Sequence, residues 1–371
     1  MELMRLFAKK ITMAGLGIFL RLYCFAKRGD IKRVETIAVP FLRILGIGDL
    51  VMLSPFFAKI RKIFPNAKIT LITWTEDFID FEGVEILQYK EYLKNKRKFD
   101  LTISATLNLK HIWFVFLSKS WIGYFTTTKI QSNLKMPRYG YNMKQDHYLL
   151  RAIKLIKSLN NQEGNRFENE FTNKQIQYPK LKLQKPDYFD EQLVGKRYLV
   201  VGVFLKFIDR MWSLENISVV LKRVCERKYF DRIVFIGDNS QHNRDYANKL
   251  ISLCDFDRSI ILDLTGKNNI QQTCYIIKNC SLFFGLDTGP SHMAYLLAPK
   301  TIALFFTVHP KLRIPANNEI SSNVAVIYPP ELDRENLYNG MSPVPLKKAM
   351  ENINKIKVDD VMDRVIRIIK N

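Results

Sequence analysis

The chain has 371 residues, 47% of them apolar, and carries 57 Lys and Arg against 36 Asp and Glu, a formal charge of +21. That length exceeds what one hydrophobic core serves, so two domains are expected; the charge points to anionic surroundings (nucleic acid, anionic lipid or phosphorylated substrates), or to a Lys-rich background, since Lys recurs along the whole chain. Five cysteines, Cys24, Cys225, Cys254, Cys274 and Cys280, form no CxxC pair and are odd in number, which argues against a disulfide framework or a zinc site and for a reducing cytoplasm.

Residues 1–35 begin with Lys9 and Lys10, continue as the uncharged run 11–20 (ITMAGLGIFL) and, after Arg21, end in a cluster of Lys27, Arg28, Lys32 and Arg33. The run is too short to span a bilayer. No small-residue cleavage site follows it, and Arg21 interrupts the apolar stretch, against a signal peptide. Two readings stand: an interfacial helix with a basic rim, and a helix packed on the protein itself.

Residues 36–42 (TIAVPFL) read as a first strand, in which Pro40 predicts a bulge or an edge position. A glycine-containing loop follows, and Asp49 opens an apolar-periodic segment that runs to Phe64 and stops at Pro65. Gly46 and Gly48 do not make the GxGxxG dinucleotide fingerprint, because no third glycine follows. Asp49 is either a helix N-cap or an exposed base at the carboxyl edge of a strand. Strands over 68–73 and 101–105, with a basic helical piece over 90–98, give a β/α alternation and one Rossmann-like domain. Residues 110–151 interleave aromatics such as Trp113, Trp121, Tyr124 and Tyr139 with cations such as Lys119, Lys135 and Arg138. This pattern suits single-stranded nucleic acid or an anionic glycolipid, with part of the aromatics, above all in 112–117, serving as core. Residues 160–188, rich in Asn, Gln and Lys, read as a linker with irregular strand, and the domain boundary is placed there.

The second half opens with a strand over 198–204, a loop over 206–212, and a helix to Arg227 capped by Ser213. Residues 232–237, 241–254, 260–264 and 269–279 repeat strand, helix, strand, helix, so this half is also doubly wound. Asp255-Phe256-Asp257 matches a metal-holding DxD in form, but acidic residues are common in such helix-to-strand turns, and a metal is not expected. Residues 281–306 (SLFFGLDTGPSHMAYLLAPKTIALFF) read as strand, tight turn, short helix and strand, with the polar residues concentrated in the turn. N–H groups opening that helix, beside Thr288 and His292, suit an anion such as a diphosphate; an ordinary strand-to-helix connection is the alternative. A last strand over 324–327 and an amphipathic helix over 358–370 close the chain.

The run DTGPSHMAYLLAPKTIALF closely resembles the donor-site motif of the bacterial ADP-heptose:lipopolysaccharide heptosyltransferases, glycosyltransferase family 9. Gly46-Ile47-Gly48-Asp49, followed by LVMLSP at 50–55 and FPNA at 64–67, resembles that family's N-terminal signature, and the resemblance spans roughly residue 36 to the C-terminus. His147 before Leu149-Leu150 resembles the family's helix that closes the N-domain. Arg210-Met211-Trp212 fits a family position where a basic residue, more commonly Lys, precedes Trp. Gly237-Asp238 and residues 263–267 (DLTGK) resemble blocks lining the nucleotide pocket. The sequence departs from the family at Gln241, where an acidic ribose contact is common. It departs again at Phe306, where glycine is usual, and at Thr307-Val308-His309-Pro310, where the loop normally ends in Asp-Pro. His309 is there either a pH-sensitive ligand contact or a surface residue.

The resemblance implies an α/β fold of two Rossmann-like domains facing a cleft, the GT-B glycosyltransferase fold. It divides the chain into an N-terminal basic segment (1–35), an acceptor domain (36–160), a linker (161–195), a donor domain (196–345) and a C-terminal helix (346–371) that packs back across the cleft. It implies an inverting, metal-independent glycosyltransferase with no cofactor, an ADP-heptose-like donor and an anionic inner-core glycolipid acceptor. The expected location is cytoplasmic, peripheral to the inner face of the cytoplasmic membrane, without a nucleic-acid partner. Asp49 would take the acceptor proton, on a loop formed with Gly46 and Gly48. Lys206, Arg210 and the N–H groups around Thr288 and Gly289 would stabilise the leaving diphosphate. Asp287 would bond sugar hydroxyls, His292 would support the turn, and Gln241, Thr265 and Gly266 would complete the donor site. Two alternatives remain on composition and scaffold: another nucleotide-sugar enzyme of the same fold, and a non-enzymatic binder of nucleic acid or anionic lipid, for which no recognisable module is present.

Overall fold

The computed structural model describes residues 33–41, 46–107, 118–125, 147–157, 159–203, 212–334 and 351–370. The basic helix expected before residue 33 lies outside them. The chain divides after residue 173 into two units, except that residues 46–52 and 78–80 belong with the second.

The first unit is built on a parallel sheet of β1 (Thr36–Phe41), β2 (Lys68–Thr73), β3 (Val84–Gln88), β4 (Phe99–Leu107) and β5 (Ser118–Phe125), in the order β3-β2-β1-β4-β5. The winding reverses between β1 and β4. Strands buried on both faces need continuous apolar runs, and β1 and β2 supply them: Ile37, Ala38, Ile69, Leu71 and Ile72 are buried. Asp100 ties three strands at their amino ends, accepting from Thr36 N (2.9 Å), Thr36 Oγ1 (2.8 Å) and Lys119 Nζ (2.7 Å).

Three expectations change here. Pro40 is neither at an edge nor in a bulge: β1 is central, and Pro40 stands in register with Ile72 of β2. The β1–β4 pairing covers only Ile37–Leu101 and Ala38–Thr102, so the missing N–H falls beyond the paired stretch. The segment from Asp49 to Phe64 is two helices, α1 (Ile47–Leu53) and α2 (Pro55–Ile63), because Pro55 cannot continue α1 but suits the first turn of α2. The stretch 161–195 is not a linker throughout. After Tyr89–Asn95 (α3) and Tyr148–Lys157 (α4), Asn161–Thr172 (α5) is a helix, capped by the Asn160 side chain on Gln162 N and Glu163 N. It buries Phe167 and pairs Glu170 with Lys59 of α2 at 2.7 Å. Of the aromatic and basic segment 110–151, residues 118–125 form β5 and residues 147–157 the start and body of α4, where His147 Nδ1 accepts from Leu149 N at 3.1 Å; the rest lies outside the described residues, residues 108–117 and 126–146.

The second unit's sheet holds β6 (Tyr198–Gly202), β7 (Arg232–Phe235), β8 (Ile261–Asp263), β9 (Leu282–Leu286), β10 (Thr301–Leu304) and β11 (Val324–Ile327). All its pairs are parallel, in the order β11-β10-β9-β6-β7-β8. Its winding reverses between β6 and β9. Its longer helices are α6 (Leu214–Glu226), α7 (Gln241–Leu253), α8 (Ile270–Lys278), α9 (Gly289–Leu297) and α10 (Val358–Lys370). Ser213, Ser240 and Asn269 cap α6, α7 and α8 through their side chains. The amphipathic α10 inserts Val361, Met362 and Val365 into this unit's core beside Ile217 and Leu221. Trp212 is fully buried and donates from Nε1 to Ile356 O at 3.1 Å.

Asp255 pairs with Lys222 at 2.8 Å, and Asp257 caps the turn Arg258–Ile260 through Ser259 N at 2.9 Å, so each carboxylate of the DxD-like run has a structural partner. Cys254, Cys274 and Cys280 are buried as free thiols. Burial pushes the thiols up, to about 12 for Cys225 and Cys280 and about 11 for Cys254. No helix among the described residues is long and apolar enough to cross a membrane.

Candidate active site

In an open parallel sheet, ligands bind beyond the carboxyl ends of the strands where the winding reverses. In the second unit that point lies at β6 and β9. Gly202 and Gly285 face each other there: a Cβ on Gly285 would stand 3.0 Å from Gly202 O and 2.7 Å from Ser291 Oγ. The turn after β9 is Asp287-Thr288, and α9 starts at Gly289. Local bonds hold it. Ser291 Oγ donates to Leu286 O, and His292 Nε2 lies 3.2 Å from Asp287 Oδ1. Thr288 is the N-cap residue but makes no side-chain cap bond, which leaves the amide groups opening α9 able to bond an acceptor. His292 is buried, and its Nδ1 has no hydrogen-bond partner among the described residues.

A second turn meets this one. Gly48, in the first turn of α1, lies so close to His292 that a Cβ on it would stand 2.2 Å from His292 Cδ2. A Cβ on Gly289 would stand 3.6 Å from Ile47 Cβ and 3.7 Å from Gly48 N. At Gly48 only a residue without a side chain permits this approach, whereas at Gly289 a Cβ would stand in ordinary contact. The two turns therefore place Gly48 against His292 and Gly289, residues more than two hundred positions apart.

Asp49 is the third residue of α1 and not its cap. Its Oδ2 accepts from Gly46 N at 2.8 Å, the returning half of a capping box. Its Oδ1 accepts from Arg313 Nη1 at 2.7 Å, and the two side chains are 17% and 16% exposed. Asp49 is thus not the N-cap expected on one reading, although one oxygen serves the helix start; the other is held by a cation from far along the chain. Arg313 is the residue that sequence reasoning missed. It follows the turn Pro310–Leu312, whose geometry is fixed by His309: Lys311 N donates to His309 Nδ1 at 3.1 Å, and His309 Nε2 donates to Asp333 Oδ1 at 2.8 Å. His309 is therefore engaged in shaping the loop that carries Arg313. Tyr295, on α9, is buried, and its hydroxyl is raised well above its ordinary value first by burial and then by the Asp287 charge, against the opposing charge of Arg313.

The remaining predicted donor residues divide into three groups. Thr265 and Gly266 lie in the turn after β8, where Gly266 has φ +73° and its N–H donates to Gly237 O at 3.0 Å. A Cβ on Gly266 would stand 2.9 Å from Asn239 Cα, so this turn and the one after β7 are packed against each other. They share the carboxyl edge of the sheet with Asp287, three strand spacings away, about 14 Å. Gln241 is exposed at the start of α7 and bonded to Asp245 Oδ1 (2.7 Å) and Arg244 Nη2 (2.9 Å) on its own helix. Lys206 and Arg210 lie outside the described residues. Chemically, the assembled part offers one carboxylate fixed at both oxygens, a second carboxylate on an imidazole, and a helix start with amide groups, a set suited to an alcohol, sugar hydroxyls and an anion respectively.

Residues 86–341 match the model of "Glycosyltransferase family 9 (heptosyltransferase)". Lipooligosaccharide heptosyltransferase 2 of Campylobacter jejuni is 23% identical over 336 residues, 88% of this chain and 96% of that protein. Lipopolysaccharide heptosyltransferase 3 of Escherichia coli is 21% identical over 279 residues, 70% of this chain and 80% of that protein. Among solved structures, a family 9 glycosyltransferase from Veillonella parvula is similar with a TM-score of 0.66 at 14% identity, covering 92% of this chain and 99% of that one. The ADP-heptose lps heptosyltransferase II of E. coli has a TM-score of 0.63 at 13% identity, covering 90% and 98%. The fold is thus the α/β GT-B architecture of two Rossmann-like units, and with its family model matched over more than half its length the chain is a glycosyltransferase that belongs to glycosyltransferase family 9.

Proposed function

We propose that this enzyme transfers a heptose, with inversion and without a metal, from ADP-heptose to an anionic inner-core glycolipid of lipopolysaccharide or lipooligosaccharide. The observation that carries the reading is the meeting of the Asp49 turn with the Asp287–His292 turn in a member of this family. Asp49 takes the acceptor proton as the acceptor oxygen attacks the anomeric carbon. Amide groups at the start of α9 receive charge that develops on the leaving diphosphate, with Lys206 and Arg210 as its cationic partners. Asp287 bonds sugar hydroxyls, with His292 behind it; Thr265 and Gly266 lie where the nucleoside end of the donor would extend along the sheet edge, and Gln241 stands nearby as a weaker contact. The relatives named as lipopolysaccharide or lipooligosaccharide heptosyltransferases, and the solved structure named for ADP-heptose, support this donor and this acceptor class. The formal charge of +21 supports an anionic acceptor at the inner face of the cytoplasmic membrane.

The test is direct. Purified enzyme is incubated with ADP-heptose, ADP-glucose or UDP-N-acetylglucosamine and a truncated inner-core lipooligosaccharide, and products are read by mass spectrometry. A heptose-sized increment from ADP-heptose alone is expected. An increment only from another donor, or none with EDTA present and one with added divalent ion, overturns the donor or the metal-free assignment.

A further inference from the structure

We infer that Arg313 is a positioning residue for the transfer step, acting through Asp49 and not through the donor. The inference rests on the base assignment just given. Asp49 sits in the first turn of a seven-residue helix, and a carboxylate there bonded only to Gly46 N would retain rotational freedom about its remaining torsions. Arg313 removes it: with Oδ2 on Gly46 N at 2.8 Å and Oδ1 on Arg313 Nη1 at 2.7 Å, both oxygens are held.

The holding group is itself anchored. Arg313 N donates to Pro310 O at 2.8 Å, and the turn it closes is tied through His309 to Asp333 at 2.8 Å. With both side chains less than one-fifth exposed, this pair differs from a surface ion pair, whose two long side chains must be ordered for each contact and are screened by water. An ionised carboxylate offers about four lone-pair directions. The two bonds described leave a free direction on each oxygen for an acceptor hydroxyl.

The step balances with these groups alone. The acceptor O–H proton passes to Asp49. The acceptor oxygen bonds the anomeric carbon as the bond from that carbon to the diphosphate oxygen breaks, and the diphosphate leaves with the electron pair. Arg313 exchanges no proton, because guanidinium stays charged at working pH. Among the described residues, His292 lies against Gly48, the neighbour of Asp49, and is bonded to Asp287. His309 and Asp333 lie behind the Arg313 turn, and Tyr295 is near enough to sense both Asp287 and Arg313.

The test is a double-mutant cycle measured as ADP-heptose turnover, alongside ADP binding by calorimetry. Arg313→Gln is expected to lower kcat roughly ten- to a hundredfold, the scale of a misplaced catalytic group, with KM for ADP-heptose within about twofold. Arg313→Lys should recover part of the loss, and ADP affinity should stay within about twofold. In the Asp49→Asn background, Arg313→Gln should cost no more than about twofold further. An equal cost in both backgrounds, a rise in KM without a fall in kcat, or a fall in ADP affinity overturns the inference, and the last would place Arg313 on the donor. Should Asp49→Asn alone leave turnover intact, the base assignment falls first, and the role of Arg313 with it. If the Gln variant fails to fold, the Lys variant decides in the same cycle, since a purely structural role would lower kcat equally in both backgrounds.

Discussion

The start of α1 and the start of α9 share a plan: a glycine in the first turn of a helix with a carboxylate close by, Gly48 with Asp49 and Gly289 with Asp287. They differ in what holds them. The β9 turn is closed by its own neighbours, Ser291 on Leu286 O and His292 on Asp287, contacts five residues apart. The start of α1 is held by Arg313, which is 264 residues from Asp49, and by the imidazole of His292 against Gly48. A locally closed turn keeps its geometry wherever its strand and helix fold. A turn held from elsewhere acquires its geometry only with its distant partner in place, so the Asp49 carboxylate depends on the loop that carries Arg313.

Changes at the two turns should separate these cases. Asp49→Asn has the largest expected effect. It keeps an acceptor for Gly46 N while removing the charge Arg313 holds, and turnover should fall by roughly two to four orders of magnitude with ADP affinity nearly unchanged. Steady-state kinetics and calorimetry on the same preparation check this; a variant with a much lower Tm but normal turnover per folded molecule would show that Asp49 serves only the helix start.

The glycines give the next contrast. At Gly48 a Cβ would overlap His292 Cδ2 at 2.2 Å, so Gly48→Ala should destabilise the protein by about 1–3 kcal/mol, the scale of overpacking. At Gly289, where the nearest atoms would be 3.6 Å away, alanine should fall within about 0.5 kcal/mol of wild type. Urea midpoints of the two variants measure the difference directly, and equal midpoints would contradict the close approach.

A modest effect, separate from both turns, is expected at the amino end of β1, where Asp100 ties three strands. Burial there opposes ionisation but is outweighed by bonds from Lys119 and from Thr36, so its carboxyl is held below the ordinary range. A depressed carboxylate contributes stability above its unfolded value, about 3.9, and loses it as the pH falls through the folded value. Asp100→Asn should therefore cost about 1 kcal/mol at pH 7. Chemical denaturation repeated at falling pH should show that gap closing; a gap that persists in acid would assign the effect to geometry and not to charge.

How much of this was legible in the sequence follows the same division. The β/α alternation, the cap at Ser213 and the β9 turn are set by residues a few positions apart, and local chemistry foretells them. Helix α5 escaped notice because NQEGNRFENEFT offers only Phe167 and Phe171 as an apolar stripe, and its polar face is stabilised by Lys59 and Lys157 from other elements. Pro40 was misread because which strands pair, and over how many residues, is a property of the sheet. Arg313 carried no local signal at all: nothing in HPKLRIP points to Asp49. The resemblance to family 9, by contrast, was legible, because it rests on two turns whose own residues are distinctive.

The buried thiols have a use that their inertness provides. With Cys254 held near 11 and Cys280 near 12, the thiolate fraction at pH 8 is roughly one part in a thousand to one in ten thousand, and both sulfurs are shielded besides. An alkylating reagent can therefore modify them only during moments when the second unit opens. Cys280 lies two residues before the start of β9 and Cys254 follows α7, so the labelling rate at each position, followed by mass spectrometry, becomes a clock for the opening of two different parts of that unit.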